Sequence, residues 1–339
     1  MLHIALCIND KFVMPAEVLM FSIIKNTKQT LHFHIVYNSI SDKNIAELST
    51  FFNNFKLTFS FHDVSTHNFK NLVIREGDRV TLETYFRFLL PDLLSDVDKV
   101  LYLDADMICL NNLEKLTTFD LSDSPVAMCY DQAYSHISYF NRLDYASSYG
   151  YFNAGVMYIN LDYWRKEKLS ERLFSFVIEN PDKCICHDQD AINALLHEKI
   201  KVLPIEYNFQ HTFFNIYGWL NFQKYGKKFL NTDTIEKCKW NEILEASKAP
   251  VFIHYSAPSK PWHKDSYTPF TKVWRLYYEK CFSKKFVPFS RYNSKAKQIK
   301  ICIHNILSKL HLISKIDFPM YPEEAKILEE EYIAKNEIL

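Results

Sequence analysis

Glycine is scarce in this chain, which has only five glycines among its 339 residues. An average protein has glycine at about 7% of its positions. The pattern GxGxxG is absent, which excludes the usual dinucleotide-binding fingerprint. Gly150 and Gly155 have the spacing of a phosphate-binding loop, but Val156 and Met157 occupy the positions that require Lys and Ser or Thr. A bound nucleotide would therefore be held by side chains and a metal ion.

Other features that the sequence lacks narrow the class of protein. No apolar run reaches the roughly 18 residues of a membrane-spanning helix, and no basic leader precedes the apolar run 2–8. The eight cysteines form no CxxC pair, so we expect neither zinc nor a disulfide framework, and a reducing cytoplasm is the expected location. Forty basic residues balance forty acidic ones, which argues against nucleic acid as a partner.

Strand and helix patterns alternate over most of the chain. Strands are predicted at 3–8, 31–37, 57–64, 100–103, 125–129, 156–161 and 251–254. Helices are predicted at 15–25, 41–52, 84–94, 162–180 and 188–199. This alternation predicts an α/β fold whose mostly parallel sheet is covered on both faces.

The composition changes near residue 280. Residues 280–316 contain nine Lys or Arg and no acid, whereas 317–339 contain seven acids and two Lys. We therefore predict one catalytic domain over 1–280 and a C-terminal extension over 281–339. Apolar residues recur at helical spacing in the extension, at Ile299, Cys302, Ile303, Ile306, Leu310 and Ile313. They predict a basic amphipathic helix before an acidic tail, and this helix would either lie on an anionic membrane surface or pack on the catalytic domain.

The first segment with chemical potential is Asp104-Ala105-Asp106, directly after the apolar strand 100–103. Carboxylates at the carboxyl end of a buried strand face the crevice where open α/β sheets bind ligands. Two oxygen ligands suit Mg²⁺ or Mn²⁺ bound together with a diphosphate. The alternative interpretation is a solvated turn.

Three further segments carry ligand-like side chains. Phe152-Asn153-Ala154-Gly155-Val156 combines small residues with an amide. His187-Asp188-Gln189-Asp190 leads into a predicted helix, where plain capping would also explain the acids. His254 ends a predicted strand and could bind Mn²⁺, and Lys260 six residues later could meet a phosphate. Taken alone, a core histidine beside a surface lysine would be the simpler interpretation.

Together these segments resemble retaining glycosyltransferases of family 8, which include bacterial lipopolysaccharide galactosyl- and glucosyltransferases and glycogenin. The resemblance covers roughly residues 3 to 275. The matching residues are Asp104-Ala105-Asp106, 151–156 with Asn160, Leu161 and Trp164, Asp188-Gln189-Asp190 with Asn193, and His254-Tyr255 with Lys260-Pro261-Trp262-His263.

The resemblance implies a GT-A type α/β domain with a mostly parallel mixed sheet. The implied activity is retaining transfer of glucose or galactose from a UDP-hexose donor to a glycan or lipid-linked oligosaccharide, in lipopolysaccharide or cell-surface glycan synthesis. The implied location is the cytoplasm, or the inner face of the cytoplasmic membrane. Asp104, Asp106 and His254 would hold Mn²⁺ or Mg²⁺. The residues implied to bind the donor are Cys7, Asn9, Phe12, Arg87, Asp104, Ala105, Asp106, Asn153, Ala154, Asp188, Gln189 and Lys260.

The resemblance also bears on the mechanism. Retention by double displacement needs a nucleophile beside the anomeric carbon. Gln189 occupies the expected place, but an amide is a poor nucleophile, and Asp188 and Asp131 are the alternatives. We therefore favour front-side displacement, in which the departing UDP helps to deprotonate the acceptor.

Two other functions fit parts of the pattern. A phosphohydrolase of the haloacid dehalogenase type also places Asp-x-Asp after an apolar strand, but it usually has Thr or Val where Ile108 stands, and its later Gly-Asp-x-x-x-Asp pattern is missing. A catalytically inactive sugar-nucleotide-binding protein on the same fold is the second alternative.

Overall fold

The computed structural model describes residues 1–75, 78, 80–131, 137–214, 242–243, 245–264, 266, 268–290, 299, 303 and 323–336. The described residues of Met1–Gln210 and Thr232–His254 form one compact unit. Those of His211–Asn231 and Tyr255–Leu339 form a second unit. The functional boundary near residue 280 stays a prediction.

The strands alternate with helices along the chain, as the sequence pattern predicts. The strands are β1 (Leu2–Cys7), β2 (Leu31–Tyr37), β3 (Thr58–Asp63), β4 (Lys99–Leu103), β5 (Met107–Cys109), β6 (Val126–Tyr130), β7 (Phe152–Asn160), β8 (Ile200–Val202), β9 (Phe209–Gln210) and β10 (Phe252–His254). The helices are α1 (Val13–Asn26), α2 (Asp42–Asn54), α3 (Leu90–Leu93), α4 (Glu114–Thr117), α5 (Ile137–Leu143), α6 (Leu161–Lys166), α7 (Leu169–Glu179), α8 (His187–Leu196), α9 (Thr271–Phe282) and α10 (Glu323–Asn336).

The first unit is built around a seven-stranded sheet with the order β3-β2-β1-β4-β7-β6-β8. Four neighbouring pairs are parallel, and only β7 runs antiparallel to its neighbours β4 and β6. Every residue of β7 is buried, because this strand lies inside the sheet and helices cover its faces. A smaller sheet pairs β5, β10 and β9. The carboxyl ends of β1 and β4 meet at one edge, where ligands bind in folds of this kind.

Two predicted elements have different limits in the structure. The helix predicted at 162–180 is two helices, α6 and α7, because Lys168 adopts a left-handed conformation with φ of 51°. The strand predicted to begin at Val156 begins at Phe152 instead. An irregularity between Met128 and Cys129 in β6 lets the register continue along this extra length.

In the second unit, the acidic segment forms α10 and packs against α9. The Glu329 carboxylate accepts hydrogen bonds from the backbone N–H groups of Lys272 and Val273, at 2.7 and 3.2 Å. These two groups lie in the first turn of α9, where a helix has no internal acceptors for its N–H groups. The Tyr277 and Tyr332 hydroxyls also meet, at 3.2 Å. Among the described residues no helix has the length and apolar character needed to cross a membrane.

Candidate active site

Strand pairing brings the Asp-x-Asp segment and His254 together. Asp104 and Asp106 lie in the short connection between β4 and β5. β5 pairs antiparallel with β10, and His254 lies opposite Met107. His254 Nε2 is therefore 3.3 Å from Asp106 Oδ1 and 3.8 Å from Asp104 Oδ2.

Gly155 makes room for the imidazole of His254. A Cβ atom at this position would lie 2.4 Å from His254 Cε1, a distance that side-chain carbons cannot tolerate. The Gly155 carbonyl also accepts a hydrogen bond from the Asp104 backbone N–H at 2.8 Å. The glycine is needed here for close packing against the histidine rather than for a phosphate-binding loop.

Hydrogen bonds assign the tautomer of His254, and the assignment starts from a backbone N–H, which can only donate. Gly155 N–H donates to Asn153 Oδ1, so the Asn208 amide nitrogen, 2.8 Å from that oxygen, must donate to it as well. Asn208 Oδ1 then faces His254 Nδ1 at 2.9 Å and accepts a hydrogen bond from Nδ1–H. A neutral His254 therefore presents the lone pair of Nε2 towards the two carboxylates.

Asp104, Asp106 and His254 meet the requirements of a divalent metal site. One ligand atom from each lies within 4.8 Å of the others. Two carboxylates and one imidazole suit Mn²⁺, and the carboxylates alone also suit Mg²⁺. Asn208 holds the far nitrogen of the imidazole, as groups around a metal site commonly hold a ligating histidine.

The two oxygens of Asp104 face different partners. Oδ1 accepts a hydrogen bond from the Tyr102 hydroxyl at 2.7 Å and lies 3.2 Å from the Arg87 guanidinium. Oδ2 is the oxygen directed towards His254. The carboxylate is thus oriented by the protein through one oxygen and can offer the other to a cation.

Arg87 is a buried cation between two carboxylates. Its guanidinium is 3.0 Å from Asp188 Oδ2 and donates to the carbonyl oxygens of Thr84 and Ala154. Burial acts to lower the pKa of Arg87, but the Asp188 carboxylate and the other groups beside it outweigh burial, so the pKa is raised. Arg87 therefore stays charged and joins the 3-10 helix Leu82–Leu89 to strand β7.

Asp188 is buried at the start of α8, beside Arg87. Burial raises the pKa of its carboxyl, while Arg87 and the Thr84 hydroxyl act in the opposite direction. The Thr84 hydroxyl donates to Asp188 Oδ1. Both oxygens therefore already have protein partners.

Gln189, Asn153 and Asp131 form a polar network beside the metal-ligand group. Gln189 Oε1 accepts from the backbone N–H of Ala154 at 2.9 Å and from the Asn153 amide at 3.2 Å. Asp131 Oδ2 accepts from Asn153 at 2.8 Å and from the Gln189 amide at 3.4 Å. Asn153 is linked in turn to His254 through Asn208. The structure thus connects Asn153 and Gln189, two of the residues predicted to bind the donor, with the predicted metal ligand His254.

Two further residues of the α8 segment hold the fold. The Asp190 carboxylate, which is fully buried, pairs with Arg142 at 2.6 and 3.0 Å and accepts from the Tyr151 hydroxyl at 2.7 Å. The side chain of Asn193 bonds the backbone N–H and carbonyl of Phe152, both at 2.8 Å. These contacts fix α8 against β7 and so place Gln189.

Residues at the end of β1 border the same edge of the sheet. β1 and β4 are parallel with Ala5 opposite Tyr102, so Cys7 lies at the level of Asp104. Burial raises the pKa of the Cys7 thiol, which stays neutral. Asn9 follows, and its side chain accepts from the Lys11 backbone N–H at 3.1 Å.

The remaining predicted donor-binding residues are also described. Phe12 ends the single-turn 3-10 helix Asp10–Phe12 after β1. Lys260 belongs to the second unit, where its ammonium donates to the Tyr255 carbonyl. Its contact with a diphosphate stays a prediction.

Asn208 is the site residue that sequence reasoning missed. It is fully buried, and it precedes β9, which pairs with β10 and so lies near His254. The Asn208 amide makes two hydrogen bonds beside the ligand histidine, and this position can be recognised only once the pairing of β9 with β10 is known. The sequence itself shows only an asparagine before Phe209 and offers no motif.

Comparison with known proteins gives a consistent result. The sequence profile described as Glycosyl transferase family 8 matches residues 3–266. A lipopolysaccharide 1,2-glucosyltransferase of Escherichia coli is 30% identical over 263 residues, which cover 76% of this chain and 71% of that protein. General stress protein A of Bacillus subtilis (strain 168) is 26% identical over 278 residues, which cover 79% of this chain and 90% of that protein.

Solved structures share the fold. The galactosyltransferase LgtC, in complex with donor and acceptor sugar analogues, matches with a TM-score of 0.69 at 23% identity, covering 82% of this chain and 96% of that one. The glycosyltransferase GlyE of Streptococcus pneumoniae TIGR4 matches with a TM-score of 0.60 at 20% identity, covering 82% and 60%. The predicted GT-A type α/β fold with a mostly parallel mixed sheet is confirmed.

Proposed function

This chain belongs to glycosyltransferase family 8, and we propose that it is a retaining hexosyltransferase that uses a UDP-sugar donor. The hexose is glucose or galactose, and the acceptor is a glycan or lipid-linked oligosaccharide of lipopolysaccharide or another cell-surface glycan. The relative named as a lipopolysaccharide 1,2-glucosyltransferase supports this substrate class. The observation that carries the proposal is the convergence of Asp104, Asp106 and His254 beside the Gln189 network.

The proposed metal is Mn²⁺ or Mg²⁺, held by Asp104, Asp106 and His254. When bound, it supplies Lewis-acid stabilisation to the diphosphate of the leaving group. Tyr102 and Arg87 orient Asp104, and Asn208 orients His254, so the ligands are fixed before the donor arrives. The family resemblance implies that Lys260 adds a positive charge for the diphosphate.

The proposed donor site divides between two groups of residues. Cys7, Asn9 and Phe12 receive the uracil and ribose at the end of β1. A larger group lines the hexose. It consists of Asn153, Ala154, Asp188, Gln189 and Asp131. Arg87 supports this group by donating a hydrogen bond to the carbonyl oxygen of Ala154.

The contacts of the carboxylates favour front-side displacement. Asp188 is paired with Arg87 and accepts from Thr84, and Asp131 accepts from the amides of Asn153 and Gln189. A nucleophile for double displacement would have to give up such contacts in order to attack the anomeric carbon. The Gln189 carbonyl, oriented by Ala154 N–H, can instead stabilise positive charge that develops at that carbon.

A donor screen tests the proposal. The purified full chain is incubated with UDP-glucose, UDP-galactose and UDP-N-acetylglucosamine, with Mn²⁺, Mg²⁺ or chelator. We expect metal-dependent release of UDP from one of the two hexose donors, and faster release with a suitable truncated lipopolysaccharide core. NMR of the product should show the donor's anomeric configuration.

The alternatives give different results in the same screen. A catalytically inactive binding protein would bind a UDP-sugar in calorimetry but release no UDP with or without acceptor. A phosphohydrolase would release inorganic phosphate from simple phosphomonoesters. Inversion of the anomeric configuration would contradict the retaining mechanism, and full activity in chelator would contradict the metal.

A further inference from the structure

Four histidines lie together on the first three strands, away from the candidate active site. They are His3 in β1, His32 and His34 in β2, and His62 in β3, and we call them the strand histidines. His3 lies opposite His32 in the parallel register, and His34 lies opposite Ser60, two residues before His62. Residues two apart share a face of a strand, so all four imidazoles are on one face of the sheet.

The strand histidines contact one another through ring nitrogens. His3 Nδ1 is 3.0 Å from His34 Nε2, and His34 Nδ1 is 3.1 Å from His62 Nε2. The centroid of the His32 ring is 4.5 Å from that of His34 and 5.4 Å from that of His3. His34 is only 5% exposed, whereas the other three rings are half-buried and can be reached from solvent.

The strand histidines are neutral at physiological pH. Burial first, and then the neighbouring imidazoles of His32, His62 and His3, lower the pKa of His34 to about 3. Burial also lowers the pKa of His3, His32 and His62. The charges that act on them come from one another and from the amino terminus. Neutral imidazole is the form that binds a metal ion.

The distance between His3 Nδ1 and His34 Nε2 fits two ligands of one metal ion. The ion would replace the hydrogen bond between these two nitrogens. Two ligands at roughly 2.1 Å and at a right angle lie about 3.0 Å apart, and His3 Nδ1 and His34 Nε2 are 3.0 Å apart. With His34 Nε2 on the metal, Nδ1–H can donate to His62 Nε2, which is how protein groups hold a ligating histidine.

We propose that the strand histidines form a second metal site, which takes a borderline divalent transition metal such as Ni²⁺ or Cu²⁺. His3 Nδ1 and His34 Nε2 are the two adjacent ligands, and His62 holds His34 from behind, while His32 Nε2 lies 2.9 Å from the Ser60 hydroxyl. An imidazole-only site selects such ions over Mg²⁺ or Mn²⁺, which prefer carboxylate oxygens. The site thus differs in chemistry from Asp104, Asp106 and His254.

Copper and nickel binding to the untagged full chain tests the proposal. The His254→Ala background removes the nitrogen ligand of the candidate active site. Titration calorimetry with Ni²⁺ is expected to show one equivalent bound, and the electron paramagnetic resonance spectrum with one equivalent of Cu²⁺ is expected to show coupling to at least two nitrogens. His34→Gln and, separately, His3→Gln should weaken Ni²⁺ binding by at least about tenfold.

His67→Gln provides the matched control, because His67 is an exposed histidine of the same unit that stacks on Phe69. It should leave Ni²⁺ affinity and the copper spectrum unchanged. If His34→Gln fails to fold by circular dichroism, His3→Gln decides the matter, since His3 is only half-buried. Unchanged Ni²⁺ affinity in His3→Gln, or coupling of Cu²⁺ to fewer than two nitrogens, would overturn the proposal.

Discussion

Asp104 and Asp106 have different surroundings although only Ala105 separates them. The Asp104 side chain is 31% exposed and is held by Tyr102 and Arg87 through one oxygen. The Asp106 side chain is 13% exposed and lies nearer to His254 Nε2. Both are accessible enough to bind an ion and buried enough for that ion to act in a poorly hydrated site.

Substitution of either aspartate should abolish transfer without unfolding the chain. Asp104→Asn and Asp106→Asn each replace an anionic ligand with a neutral amide of the same shape. We expect transfer to fall by at least about a thousandfold, or ~4 kcal/mol of transition-state stabilisation. Metal-dependent UDP release measures this loss, and circular dichroism checks the fold. Activity that survives in both variants would contradict the metal role.

Asn208 should act as a positioning residue for His254. Asn208→Leu removes the acceptor for His254 Nδ1–H and the donor to Asn153. We expect the Mn²⁺ concentration for half-maximal activity to rise by about 10- to 100-fold, the usual effect of losing a group that orients a metal ligand. Activity measured against Mn²⁺ at saturating donor reads out this change.

Asn208→Asp is the matched variant, because it keeps an oxygen acceptor for His254 and loses the donor to Asn153. Its Mn²⁺ dependence should be closer to that of the native chain than the dependence of Asn208→Leu. If both variants lose activity at saturating Mn²⁺ with unchanged Mn²⁺ dependence, Asn208 supports the fold instead of the ligand.

At the residue scale, the sequence predicts the metal-ligand side chains of the site much better than it predicts the residues that hold them in place. Asp104, Asp106 and His254 can be found because each follows or ends an apolar strand. Asn208 lacks such a signal, since it approaches His254 only through the pairing of β9 with β10. The closeness of Gly155 to the His254 ring also depends on three-dimensional packing.

At the scale of elements, the longer strands follow the hydrophobic pattern closely. The predicted strand 31–37 coincides with β2, and its neighbours differ by a residue at each end. The short strands β5, β8 and β9 have two or three residues each and were not predicted. Such strands carry too few side chains for a periodic signal, and their tertiary partners determine them.

The helix 84–94 shows how one side chain changes a predicted element. The segment begins as the 3-10 helix Leu82–Leu89 and continues as α3, with Pro91 in the first turn of α3. Proline lacks the N–H that a continuous helix would need at its interior positions. The sequence therefore predicts the helical segment, and the proline accounts for the change of type within it.

The pairing of α10 with α9 depends on Glu329, whose ionisation works against stability. Burial raises the pKa of this carboxyl above its value in the unfolded chain. The hydrogen bonds that it accepts from two backbone N–H groups lower the pKa and only partly offset burial. A raised carboxyl pKa gives stability at low pH that is lost as pH rises through the folded-state pKa. The same carboxylate nevertheless satisfies the N–H groups of Lys272 and Val273.

Two substitutions separate these effects. Glu329→Gln keeps an acceptor oxygen and removes the ionisation, so we expect it to be at least as stable as the native chain at pH 7 and less sensitive to pH between 5 and 7. Glu329→Leu leaves both N–H groups without their acceptor and should cost about 1–3 kcal/mol. Urea unfolding at both pH values provides the measurement. Equal stability of the Leu and Gln variants at pH 7 would contradict this role.

At the scale of the whole molecule, the C-terminal basic segment is the part that we infer to meet a membrane. Residues 280–316 carry nine basic residues and no acid. The predicted helix from Lys295 lies outside the described residues, except for Ile299 and Ile303, which are 59% and 52% exposed. The acidic segment that follows has partners of its own, since Glu329 caps α9 and Glu330 pairs with Lys272 at 3.3 Å. The location inferred for the chain is the cytoplasm, or the inner face of the cytoplasmic membrane.

Charge-neutralising substitutions test membrane binding without removing α10, which a truncation near Ser283 would do. Changing Lys295, Lys297, Lys300 and Lys309 to Gln should weaken co-sedimentation with phosphatidylglycerol vesicles at low salt by at least about tenfold, because each lysine near an anionic surface contributes about 1 kcal/mol. The control changes four exposed lysines of the first unit to Gln, namely Lys28, Lys43, Lys115 and Lys166. That control should bind like the native chain, and both variants should retain UDP release, because every proposed ligand precedes residue 264. Equal vesicle binding by the two variants, or none by the native chain, would reject attachment through this segment and leave packing on the catalytic domain as its role.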